Sequence, residues 1–128
     1  MNTEPKKKRI VLIEDEEIIV NLLVAKLERC GYEVKVARDG IAGLDLIRAE
    51  KPDLVILDMI LPRLHGFGIL EKLREEEILP NLPVIIISNS GEPVEIDRAT
   101  ALGVRDYLVK VNFDLNEIIA KVNRVFNK

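Results

Sequence analysis

The chain has 128 residues, 48% hydrophobic and 32% charged, with a net charge of −3. That length makes one domain, large enough to bury an apolar core without disulfides or a structural metal. The acidic balance gives no electrostatic case for nucleic acid or an anionic membrane as a partner. One cysteine, Cys30, cannot form an internal disulfide and reads as a reduced, half-buried thiol at a helix end. No apolar run approaches the roughly 18 residues that cross a bilayer, and no signal peptide precedes the first strand, so the expected compartment is the cytoplasm. The basic run Pro5-Lys6-Lys7-Lys8-Arg9 reads as part of a solvated tail over residues 1–8, with the folded domain over 9–128.

Ile10-Val11-Leu12-Ile13 is a first strand, and its unbroken apolar character suits a parallel strand covered on both faces. Glu16 to Arg29 follows with helical periodicity and ends at Gly31, in the position that favours a left-handed residue. Glu33 to Ala37 is a shorter, more polar strand, fit for a sheet edge. Asp39-Gly40 turns the chain into a helix over Ile41 to Glu50, and Leu54 to Leu57 is a fully apolar third strand. A loop from Met59 to His65 leads to a helix over Gly66 to Glu76. Pro83 to Ile87 is the fourth strand, and Pro93 opens a fourth helix that runs to Gly103. Arg105 to Val109 is the fifth strand. Asp114 and Glu117 make a capping-box pattern before Leu115, Ile118, Ile119, Val122 and Phe126 at helical spacing.

Five alternations of strand and helix imply an α/β, doubly wound parallel sheet of right-handed βαβ units. In such sheets the site lies at the carboxyl ends of the central strands. The residues expected there are Glu14-Asp15-Glu16-Glu17, Asp58, Ser88 and Lys110. Taken singly, each has a structural explanation, such as helix capping or solvation. Their coincidence on one edge does not. Clustered carboxylates lower their energy by sharing a hard cation, and few protein ligands with open positions suit Mg²⁺. A carboxylate beside Mg²⁺ can attack phosphorus to give an acyl phosphate. The cation, Lys110 and the Ser88 hydroxyl, with backbone N–H groups, would then neutralise the three equatorial oxygens.

These residues resemble the receiver domains of bacterial response regulators in two-component systems, from Ile10 to Phe126. The match rests on Glu14-Asp15, on Leu57-Asp58-Met59-Ile60-Leu61-Pro62 with Gly66, and on Ser88, Tyr107 and Lys110. The resemblance implies a flavodoxin-like fold with strand order 2-1-3-4-5 and five flanking helices. It implies Asp58 as phosphoacceptor, Asp15 as direct ligand of Mg²⁺ or Mn²⁺, Glu14 acting through water, and the Ile60 carbonyl as a further ligand. Ser88 and Tyr107 would be the switch pair and Lys110 the ammonium that meets the phosphoryl group. The implied partners are a sensor histidine kinase or histidine phosphotransfer protein and a downstream effector protein. Because Phe126-Asn127-Lys128 closes the last helix, a stand-alone receiver with output by docking is expected.

Three positions depart from the family pattern. Lys110 precedes Val111-Asn112-Phe113 instead of proline and an aromatic, so a trans Lys110–Val111 bond is expected from the cost of about 2.5–4 kcal/mol for a cis non-proline bond. Asn89 stands where Ala or Gly is usual and is a candidate modulator of phosphate lifetime. His65 stands where Asp is common and reads as solvated. Haloacid-dehalogenase-type phosphatases also use an aspartate nucleophile, but need an acid where Ile60 stands here. A flavin-phosphate loop would be repelled by Glu14-Asp15-Glu16-Glu17. The remaining alternative is a degenerate receiver that acts only as a docking module.

Overall fold

A computed structural model describes residues 6–89, 91–110 and 114–128. Five strands, β1 (Arg9–Ile13), β2 (Glu33–Ala37), β3 (Leu54–Asp58), β4 (Val84–Ser88) and β5 (Asp106–Val109), alternate with five helices. The helices are α1 (Glu17–Arg29), α2 (Gly40–Glu50), α3 (Gly66–Glu75), α4 (Pro93–Ala101) and α5 (Leu115–Val125). All pairings are parallel and the order is β2-β1-β3-β4-β5, as the alternation and the family resemblance imply.

The central strands β3 and β4 are buried at every position, because helices cover both faces and leave no polar side to the sheet. Their side chains divide by parity. Val11, Ile13, Val55, Leu57, Val84 and Ile86 pack toward Leu44, Ile69 and Leu73, from α2 and α3. Ile10, Leu12, Leu54, Ile56, Ile85 and Ile87 pack toward α1 and α5, through Leu23, Leu27, Ile118 and Val122. The polar edge strand β2 is only partly buried before Ala37.

Local chemistry sets the element ends. Gly31 follows α1 at φ +94°, a conformation that a side chain resists. Asp39 caps α2 by accepting from the Ala42 N–H at 2.8 Å. Asp114 caps α5 through the Asn116 N–H at 2.9 Å, one residue short of the bond that a capping box uses. Cys30 is free and half-buried. Among the described residues no helix is long and apolar enough to cross a membrane. The Lys110–Val111 bond lies outside the described residues.

Strand ends differ from the sequence reading in one useful way. Asp58 and Ser88 are the last residues of β3 and β4, held by ladder pairing to Ile87 and Val109. Their Cα positions are therefore set by the sheet and not by a loop.

Candidate functional site

Glu14, the residue after β1, is fully buried, and its N–H donates to the Ala37 carbonyl at 3.0 Å. Asp58 is also buried. Lys110 reaches both from the end of β5, with its side chain only 6% exposed. Its ammonium lies 3.1 Å from Asp58 Oδ2, 3.3 Å from Glu14 Oε1 and 2.9 Å from Glu16 Oε1. Every N–H of the ammonium thus has a carboxylate partner.

The charges at this edge do not balance. Oxygens of Glu14, Glu16 and Asp58 lie within 4.8 Å of one another, and one ammonium stands among the three carboxylates. Burial pushes the Glu14 carboxyl up to about 7. The Glu16 N–H and Lys110 oppose that rise, while the Asp58 charge adds to it. Burial by itself would lower the Lys110 ammonium, yet the Glu16 hydrogen bond and the charges of Glu14 and Asp58 hold it above its ordinary value. Glu14 Oε2 lies 3.1 Å from that ammonium yet makes no hydrogen bond among the described residues. A buried carboxylate oxygen without a hydrogen bond, in an all-oxygen donor set, fits a hard divalent cation such as Mg²⁺ or Mn²⁺.

The loop after Asp58 is pinned at several points. The Ile60 N–H donates to Asp58 Oδ1 at 3.3 Å, Gly66 N–H to the Met59 carbonyl at 2.9 Å, and Gly40 N–H to the Pro62 carbonyl at 3.1 Å. Met59 and Leu61 turn into the core while Ile60 stays exposed. Gly66 and Gly40 permit this approach. A Cβ at Gly66 would stand 2.7 Å from Met59 Cα, and one at Gly40 would stand 1.9 Å from the Leu64 carbonyl oxygen. The sequence reading placed Gly40 only in a turn, and nothing local signals its packing against a loop more than twenty residues away.

Ser88 is buried at the end of β4. Tyr107 is half-buried on the adjacent strand β5, two register positions before the Val109 that pairs with Ser88. Burial raises the Tyr107 phenol; the Ser88 hydroxyl opposes this and the Glu95 charge adds to it. The two residues expected to switch thus stand on adjacent strands of the sheet. Asn89 and His65 are exposed. Asp15 is exposed too and is not one of the three gathered acids. Glu16 stands there instead, a position that the acidic run includes but that sequence reasoning did not single out.

Residues 10–123 match the family model described as the response regulator receiver domain. The chain belongs to that family. As a receiver domain it is 36% identical over 121 residues to the alkaline phosphatase synthesis transcriptional regulatory protein PhoP of Bacillus subtilis, covering 94% of this chain and 49% of that protein. It is 35% identical over 120 residues to the DNA-binding dual master transcriptional regulator RpaA of Synechocystis, with the same shares covered. The receiver domain spans about half the length of these curated relatives. Among solved structures, the Francisella response regulator 1452 receiver domain superposes with a TM-score of 0.87 at 30% identity, over 94% of this chain and 98% of that one. The non-phosphorylated HemR receiver domain of Leptospira biflexa gives 0.85 at 32% identity, over 93% and 94%.

Proposed function

We propose that this receiver domain, taken as residues 9–128 behind a basic tail, accepts a phosphoryl group on Asp58 from a sensor histidine kinase or histidine phosphotransfer protein. The observation that carries the reading is a buried acceptor carboxylate bonded to a buried lysine inside an acidic cluster. An Asp58 oxygen forms the new bond to phosphorus as the donor's P–N bond breaks, its electron pair returning to the imidazole. Lys110 meets one oxygen of the transferred group and the Ser88 hydroxyl another. Glu14, Asp15, Asp58 and the Ile60 carbonyl would hold Mg²⁺ or Mn²⁺, which supplies charge neutralisation at the oxygens that the other groups leave bare. As Ser88 turns to the phosphoryl group, Tyr107 turns inward behind it. The α4–β5–α5 surface then changes toward an effector protein.

Incubation with acetyl phosphate and Mg²⁺ should add one phosphate mass to the intact chain. A chain that gains none is a docking module instead.

Within this reading Asp15 is the direct ligand and Glu14 the supporting acid. Glu14 Oε1 already accepts from the Glu16 N–H at 3.0 Å and from Lys110, leaving its Oε2 to meet the cation through water, whereas the Asp15 carboxylate is exposed to solvent. Outer-shell partners cost roughly 10–100-fold in metal affinity. Asp15→Asn should exceed Glu14→Gln in a Mg²⁺ titration followed by NMR, and equal losses would refute the ranking.

Asn89 is proposed to slow hydrolysis of the acyl phosphate, by bonding its oxygens or obstructing the in-line water. One hydrogen bond contributes about 0.5–1.5 kcal/mol, so Asn89→Ala should shorten the half-life roughly two- to tenfold. An unchanged half-life would show that the side chain takes no part.

A further inference from the structure

We propose that Glu16 is a positioning residue for Lys110, holding its ammonium in the resting domain and yielding it when a phosphoryl group arrives; this rests on the acceptor reading above. Lys110 has three N–H groups and three carboxylate partners. To meet an oxygen of the incoming phosphoryl group while Asp58 is still a carboxylate, it must therefore give one of them up.

Burial decides which. Glu14 has no exposed side-chain surface and Asp58 has 4%; until the new O–P bond neutralises Asp58, both are buried carboxylates that losing the ammonium would strand. Glu16 is 51% exposed, and water can replace its lysine at little cost. It also makes the shortest of the three hydrogen bonds. The partner that holds Lys110 closest is thus the one most readily exchanged. Glu16 is the N-cap residue of α1, and its carbonyl accepts from Val20 N–H at 3.0 Å. Its backbone stays in the helix while the carboxylate swings out. Glu17, the next acid, pairs with Arg38 at 2.7 Å and not with Lys110.

Glu16 and the incoming phosphoryl group therefore compete for one cation. Removing the Glu16 charge should speed phosphate uptake, by the amount that a half-exposed ion pair is worth. That corresponds to about two- to fivefold.

The test measures acetyl phosphate labelling at saturating Mg²⁺ for wild type, Glu16→Gln, Glu16→Asp, Lys110→Met and the Glu16→Gln/Lys110→Met pair. A change in metal affinity then has no influence on the rate. Glu16→Gln should be two- to fivefold faster than wild type, Glu16→Asp should fall back toward wild type, and the gain should vanish in the Lys110→Met background. Independently, in metal-free protein the Lys110 ammonium protons, followed by ¹⁵N NMR, should exchange faster in Glu16→Gln than in wild type. An equal gain without Lys110 would show simple repulsion of the anionic donor and overturn the proposal, as would unchanged ammonium exchange or no gain at all. Absence of labelling in wild type would sink the acceptor reading and this inference together. Labelled wild type with an unaltered Glu16→Gln rate would sink this inference alone.

Discussion

Asp58→Asn should take up no phosphate from acetyl phosphate and Mg²⁺, under conditions where the wild-type chain gains one. The substitution keeps the side chain's size and an oxygen that can still accept from the Ile60 N–H, which lies 3.3 Å away in the wild type. It removes the negative charge that makes the carboxylate a nucleophile, and an amide cannot form the acyl phosphate. The acceptor reading requires that loss to be complete. The bond type gives a second check, since hydroxylamine cleaves an acyl phosphate and leaves a phosphoserine intact. Wild-type label that survives hydroxylamine would point to Ser88, not Asp58. The variant should fold normally, because three acids crowd one ammonium and neutralising one relieves repulsion. A melting temperature at or above wild type is expected by circular dichroism. Labelling that persists in Asp58→Asn would refute the acceptor assignment.

Gly40→Ala should destabilise the domain by about 1–3 kcal/mol, the range for inserting a methyl group where none fits. Its Cβ would stand 1.9 Å from the Leu64 carbonyl oxygen and 2.6 Å from both the Leu64 carbonyl carbon and Cβ. Two of these neighbours are backbone, so relief requires moving the loop or the start of α2, not a rotamer change. The shift would also stretch the Gly40 N–H bond to the Pro62 carbonyl, which anchors the loop leading from Asp58. Urea denaturation should show a lower midpoint with an unchanged slope, and phosphate uptake should slow as the loop moves. Gly31→Ala provides the contrast. A Cβ added there meets nothing within 4 Å beyond the adjoining residues, so its cost is the left-handed backbone alone, about 1–2 kcal/mol. A Gly40→Ala protein as stable as wild type would show that the loop yields without resistance.

The two variants probe different levels of the structure, and these were not equally legible in the amino-acid order. Strand and helix identities were readable because burial on both faces forces continuous apolar runs in β1, β3 and β4, while one-sided burial forces helical spacing in α1 and α5. The strand order followed from the family resemblance, and the alternation restricted it to a parallel, right-handed sheet. Asp58, Ser88 and Lys110 were legible because a doubly wound sheet brings the ends of its strands to one edge. Glu16 was not. Its neighbours Glu14, Asp15 and Glu17 carry the same charge, and sequence has no means of telling which one faces a lysine ninety-four residues away.

The pattern of apolar runs, turn residues and strand-end polar groups by itself determined the fold class, the edge that carries the chemistry and the residue types gathered there, since each follows from local periodicity and chain connectivity. Only the tertiary structure decided which acids touch Lys110 and that Gly40 must lack a side chain to seat the loop after Asp58. Those depend on distances of a few ångströms between segments far apart in sequence, set by how the helices close over the sheet.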